Sequence, residues 1–203
     1  AGTAPCGHAA AARALLAAAG GAVNEYQAKQ MLAAYGVPIT REHLARSPAE
    51  AVAQARQLGL PVAMKIQSAQ IPHKSEIGGV MVGVASEAAV ERAWHTLMER
   101  GRSRAAHAHI DGILVQEIIT GGVEMIVGVR NDAAFGPALV VGLGGVYTEV
   151  LRDTALHVGP ISRAEALALV RSLKAFPMLA GARGRPPADL EALLAVIEAA
   201  ARM

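Results

Sequence analysis

The chain has 203 residues, enough for one large domain or two small lobes around a sizeable core. Hydrophobic residues make up 53% of it but aromatics only 3%, so alanine carries much of the apolar content, which favours helices packed closely on a sheet over a β-sandwich. The formal net charge of +2 is too small to support a nucleic-acid or membrane surface, and a small molecule or another protein is the expected partner.

Cys6 is the only cysteine, which excludes an internal disulfide and a thiolate metal cluster and suits a reducing, cytoplasmic setting. The stretch "AAAARALLAAAGGAV" imitates a signal-peptide core, but it lacks a basic start and contains Arg13. The longest uncharged run, "AAFGPALVVGLGGVYT", is short for a membrane span and rich in glycine. A soluble protein is expected. The chain does not begin with Met, as a piece of a longer protein would not.

In chain order, residues 1–7 read as a disordered leader. "HAAAARALLAAAG" predicts a helix closed by Gly20. Asn24 is placed to cap "EYQAKQMLAAYG", with Tyr26, Met31, Leu32 and Tyr35 as its apolar stripe and Gly36 as its stop. "REHLARS" predicts a strand. Ser47 then caps "PAEAVAQARQLG", with Pro48 at the first helical position and Glu50 at the capping-box position. "PVAMKIQS" and "GVMVGV" predict two short strands around the loop "HKSEIGG". Ser86 opens the amphipathic helix "EAAVERAWHTLMER", from which Trp94 is expected to reach the core. The basic turn "GRSRAAHAH" suggests a lobe boundary near 101–110. "GILVQEII" and "VEMIVGVR", joined through Thr120-Gly121-Gly122, read as a hairpin. "GPALVVGLGG" predicts a further strand, and "YTEVLRDTALHVGPI" two short extended pieces. The helices "SRAEALALVRSLKAF" and "PADLEALLAVIEAAARM" finish the chain. The mixed order is α+β or α/β rather than a pure doubly wound sheet.

Three places invite chemistry. Lys65 sits among apolar neighbours in "PVAMKIQS". A desolvated ammonium needs an anionic partner, and a bound phosphate would be one; the ordinary alternative is a strand-edge lysine reaching for water. In "HKSEIGG", Gly78 and Gly79 permit close backbone approach, Ser75 can donate and Lys74 adds charge. The Walker spacing is absent, so on spacing alone a polar turn is an equal reading. Glu117 and Glu124 flank the turn in "VQEIITGGVEMIVGV". Carboxylates among Val, Ile and Met need donors, either ligand hydroxyl and amino groups or an internal Arg or Lys. His107 and His109 have no third ligand nearby, and a solvated loop is the favoured reading there.

Taken in order, "NEYQAKQMLAAYGVP", "PVAMKIQS", "PHKSEIGGV", "VQEIITGGVEMIVGV", "FGPALVVGLGG", "YTEVLRD" and "FPMLAGARGRPPADLEAL" closely resemble the ATP-grasp domain of NDP-forming acyl-CoA synthetases, the acetyl-CoA synthetase (ADP-forming) group. The succinyl-CoA synthetase beta subunit is a more distant relative. The resemblance covers residues 8–203. It implies an ATP-grasp fold of two α+β lobes clamping ATP or ADP. It further implies that Lys65 contacts the phosphates, that the loop with Lys74, Ser75, Gly78 and Gly79 covers them, that Glu117 and Ile118 hold adenine, and that Glu124 takes the ribose. His73 matches the family histidine that passes phosphoryl between a partner's phosphohistidine and the nucleotide, which suits an imidazole near neutral pH.

The resemblance also implies magnesium, whose ligands in the family lie on strands beyond the last helix seen here, so none is expected within these residues and the domain reads as truncated at its C-terminal end. His157 stands where the family usually has an arginine. The expected partner is a CoA-binding domain or alpha-type subunit of the same synthetase, in a multidomain chain or a hetero-oligomer. The alternative is a non-catalytic regulatory ATP-grasp module of a synthetase-like protein acetyltransferase. A structural scaffold is the third reading.

Overall fold

Four strands form an antiparallel sheet in the order β1-β4-β2-β3: β1 (Glu42–Ala45), β2 (Val62–Gln67), β3 (Val80–Val84) and β4 (Gly112–Glu117). A second antiparallel sheet has the order β5-β6-β7: β5 (Met125–Asp132), β6 (Gly136–Leu143) and β7 (Thr154–Val158). The helices are α1 (His8–Ala19), α2 (Glu25–Ala34), α3 (Pro48–Leu58), α4 (Glu87–Arg104), α5 (Arg163–Arg171), the short α6 (Phe176–Leu179) and α7 (Leu190–Ala201). This computed structural model describes residues 8–19, 23–145, 152–182, 184 and 186–203. The expected leader at 1–7, Gly20 and most of "YTEVLRD" lie outside the described residues. Among the described residues, no helix is long and apolar enough to cross a membrane.

The chain divides into two units. The first comprises residues 10–31 and 39–120. The second contains 32–38 and the residues from 121 onward. Residues 101–110, where the basic turn suggested a boundary, lie inside the first unit, because the end of α4 leads straight into β4 at the centre of the same sheet. The chain passes between units instead at Thr120 and Gly121. This also corrects the expected hairpin: β4 and β5 belong to different sheets. Gly121 and Gly122, at φ +79° and +83°, redirect the chain rather than fold it back on itself.

In the first unit, β2 reads Val62, Met64, Ile66 on one face, and all three are fully buried against α3 and α4 with Ile113, Val115, Val90 and Leu97. In the second, Leu139 and Val141 of β6 pack with Val170, Leu179, Leu194 and Ile197. The helix starts are local chemistry. Asn24 Oδ1 accepts from the Gln27 N–H at 2.9 Å while the Asn24 N–H donates to Gln27 Oε1 at 3.0 Å, a reciprocal cap. Ser47 Oγ accepts from the Glu50 N–H at 3.2 Å, but Glu50 reaches back one residue further than expected, to the Arg46 N–H at 2.7 Å. Ser162 and Glu165 form a complete capping box. The α2 helix ends at Ala34, so Tyr35 falls in the closing turn, and Gly36 takes φ +84°. The single helix expected over "SRAEALALVRSLKAF" stops at Arg171. In the break that follows, Asp153, itself buried, accepts the N–H groups of Lys174 and Ala175 at 2.9 and 2.7 Å, just ahead of α6.

Candidate functional site

Alternation along β2 places Lys65 on the face opposite the buried Met64 and Ile66. β2 has neighbours on both sides, β4 and β3, so Lys65 does not sit on an edge strand. Its partner comes from the first turn of α2: Lys65 Nζ donates to Glu25 Oε1 at 2.9 Å. Lys74 Nζ donates to the other oxygen, Glu25 Oε2, at 2.7 Å. Lys29, one turn along α2, stands 3.0 Å from Oε1. Burial alone would push the Glu25 carboxyl up. The hydrogen bonds from Lys74, Lys65 and Lys29, with the charge of Lys65, outweigh it and hold the group at about 2. Lys29 has a second anion, the buried Glu42, whose Oε2 it meets at 2.6 Å beside Thr40 Oγ1 at 2.9 Å.

The loop at 73–79 is folded onto this cluster. The Gly79 N–H donates to the Lys74 carbonyl at 2.7 Å and the Gly78 N–H to the Ser75 carbonyl at 3.0 Å. Both amides thus close turns within the loop. A Cβ on Gly79 would stand 2.9 Å from that Lys74 carbonyl and 3.2 Å from Ile66, so only glycine fits this approach. From α4, Arg100 donates to the Gly78 carbonyl at 2.8 Å and Arg104 to the Ile77 carbonyl at 3.2 Å. His73 and Ser75 are exposed, and among the described residues no hydrogen bond ties the His73 ring. The loop therefore buries a cation, Lys74, and presents an imidazole one residue away.

The two carboxylates read from the sequence do not join this cluster. Glu117, at the end of β4, accepts from the Arg41 N–H at 2.7 Å and from Arg41 Nε at 2.7 Å. That backbone bond first, then the guanidinium, draws its carboxyl below the usual range. The internal arginine weighed for it is therefore present. Ile118 follows, half-buried. Glu124 is exposed just before β5. Its backbone carbonyl accepts from the Gly144 N–H at 2.7 Å, and its carboxylate lies against Gly145, where a Cβ would stand in the way. His109 Nε2 is 3.7 Å from Asp111, and His157 Nε2 is 2.9 Å from the Pro160 carbonyl, which it can meet only as an N–H donor. Trp94 is half-buried against the core, edge-on to His95.

Sequence reasoning missed Glu25, Lys29, Arg41, Glu42 and Asp153. An acid in the first turn of a helix reads as a dipole contact, and Glu25 with Lys29 reads as an ordinary i,i+4 pair. The available signal was that a lysine inside an apolar strand must have a counter-charge somewhere in the chain.

A strand lysine and a loop lysine thus meet on one anion position in a domain of two antiparallel sheets with helices. A family model described as an ATP-grasp domain matches residues 14–203. The chain is 42% identical over 173 residues to the beta subunit of acetate–CoA ligase (ADP-forming) II of Pyrococcus furiosus, covering 85% of this chain and 73% of that one. Among solved structures it resembles the Ca. Korarchaeum cryptofilum dinucleotide forming acetyl-coenzyme A synthetase 1 in complex with coenzyme A, Ca-AMPCP and HgCl+. The TM-score is 0.89 and the identity 40%, over 94% of this chain and 85% of that one. Another structure of that synthetase, with coenzyme A and Mg-AMPPCP and its phosphohistidine segment pointing towards the nucleotide binding site, gives a TM-score of 0.80 at 38% identity over 94% and 84%. The chain belongs to the ATP-grasp domain family of ADP-forming acyl-CoA ligases, matching their beta subunit.

Magnesium, present with the nucleotide analogue in that relative, does not find a ready donor set here. Among the described residues, no group of three or more His, Cys, Asp or Glu side chains could hold a metal ion.

Proposed function

We propose that this protein handles nucleotide and phosphoryl groups for an ADP-forming acyl-CoA synthetase, an acid–thiol ligase. The observation that carries the reading is the convergence of Lys65 and Lys74 on the two oxygens of one carboxylate, next to an untied His73. Two ammoniums, one on each oxygen of a single carboxylate and with less than a quarter of either side chain exposed, form a ready subsite for a phosphate group. Lys65 and Lys74 would hold ADP or ATP phosphates, and Ser75 with the Gly78-Gly79 turn would cover them. Glu117 and Ile118 would meet adenine, with Arg41 fixing the Glu117 carboxylate, and Glu124 would take the ribose.

In the phosphoryl step, a ring nitrogen of His73 attacks the phosphorus of a phosphohistidine on a CoA-binding partner domain or alpha-type subunit. The N–P bond on the partner breaks as the N–P bond on His73 forms. A terminal oxygen of ADP then attacks that phosphorus, giving ATP and returning the free imidazole. The phosphohistidine segment pointing towards the nucleotide binding site in the relative supports phosphoryl exchange between such a partner and the nucleotide site.

The test is calorimetric titration of the full-length enzyme with ADP. Lys65→Ala should weaken binding about a hundredfold, the equivalent of about 2.7 kcal/mol, because a phosphate loses its charge-assisted partner in a water-poor position. An unchanged Kd would remove Lys65 from the phosphate subsite.

A further inference from the structure

Glu25 is one negative charge facing three ammoniums. Lys29 can be satisfied elsewhere, since Glu42 already accepts from it at 2.6 Å. Lys65 and Lys74 have no other carboxylate among the described residues. The carboxylate thus spans the two lysines as a phosphate would, one oxygen on each, but with a single charge where a nucleotide phosphate brings more charge and more acceptor oxygens. Its place at the start of α2 also gives Glu25 somewhere to go. Released from both lysines, it keeps Lys29 one turn away and the favourable end of the helix dipole.

Resting on the assignment of Lys65 and Lys74 to phosphate, we infer that Glu25 occupies the phosphate subsite in the nucleotide-free protein and competes with nucleotide for it. Binding is an exchange of anions: phosphate oxygens take Lys65 and Lys74, and Glu25 retreats to Lys29. Glu25 therefore sets nucleotide affinity. Through Lys74 it ties the 73–79 loop to α2 until a phosphate takes its place on that lysine. This differs from a positioning role, in which Glu25 would stay between the lysines and aim them at the ligand. The two roles predict opposite signs.

The experiment titrates the full-length enzyme with ADP and, separately, with adenosine. Glu25→Gln should bind ADP about tenfold more tightly, the equivalent of about 1.4 kcal/mol, because the competitor is gone. Adenosine affinity should not change. Glu25→Asp keeps the charge but is one methylene too short to reach both lysines, and should fall between the wild type and Glu25→Gln. The gain should vanish in Glu25→Gln/Lys65→Ala. Unchanged or weaker ADP binding by Glu25→Gln and Glu25→Asp, with Lys65→Ala still impaired, would overturn the competition and leave the phosphate subsite standing. So would an equal gain for adenosine. No effect of Lys65→Ala in either background would overturn both.

Discussion

Glu25 links the acid stability of the fold to the candidate site. Its carboxyl is held at about 2 although burial opposes the charged form, because three lysines donate to it or lie beside it. A depressed carboxyl stabilises the fold above its unfolded value, near 4.5, and that contribution is lost as pH falls towards about 2. The difference amounts to about 3 kcal/mol at neutral pH as an upper order of magnitude. Chemical denaturation across pH 2 to 7 checks it. The wild type should lose stability between about pH 4.5 and 2, and Glu25→Gln should show a shallower loss over the same window. Parallel curves would mean that Glu25 does not carry the dependence. At this scale the sequence disclosed the need for a counter-charge on Lys65 but not its source, because Glu25 stands 40 positions away and meets it only in the folded chain. Glu117 was legible as a carboxylate needing a donor, and Arg41 is one within the chain.

Elements whose ends are set by their own residues were readable, and those set by distant ones were not. Ser47, Ser86 and Ser162 cap helices through bonds to residues three positions on, so local spelling is enough. The α5–α6 break depends on Asp153, which reaches across about 20 positions, and no local signal marks it. The hairpin expected at Thr120-Gly121-Gly122 failed for the same reason: glycines permit a turn, but pairing partners decide its sense, and β4 pairs with β1 and β2 instead. A local cap and a distant buried acceptor should differ in energy. Ser162→Ala removes an exposed cap and should cost about 1 kcal/mol. Asp153→Ala leaves two amides without their buried acceptor and should cost about 3 kcal/mol. Urea denaturation of both variants checks this, and equal losses would contradict the weight given to the buried Asp153 acceptor.

For the whole molecule, the motif order was specific enough to indicate the family, the ATP-grasp fold and the α+β class, and the match over residues 14–203 agrees. The division into units was not placed correctly, because a change in composition at the end of α4 is surface chemistry, while the division at Thr120 follows which sheet each strand joins. The role proposed for "IPHKSEIGGV" is to set Lys74 at the phosphate subsite and to offer the untied His73 ring to a phosphoryl group. The most direct test is net ATP formation from acyl-CoA, ADP and phosphate by the complete enzyme carrying His73→Ala, with ADP affinity measured alongside. The account predicts nearly intact ADP binding, persistent phosphorylation of the partner's histidine from acyl-CoA and phosphate, and no ATP, because the acceptor is gone. Near-normal ATP synthesis by that variant would contradict it and leave the loop as a phosphate lid alone.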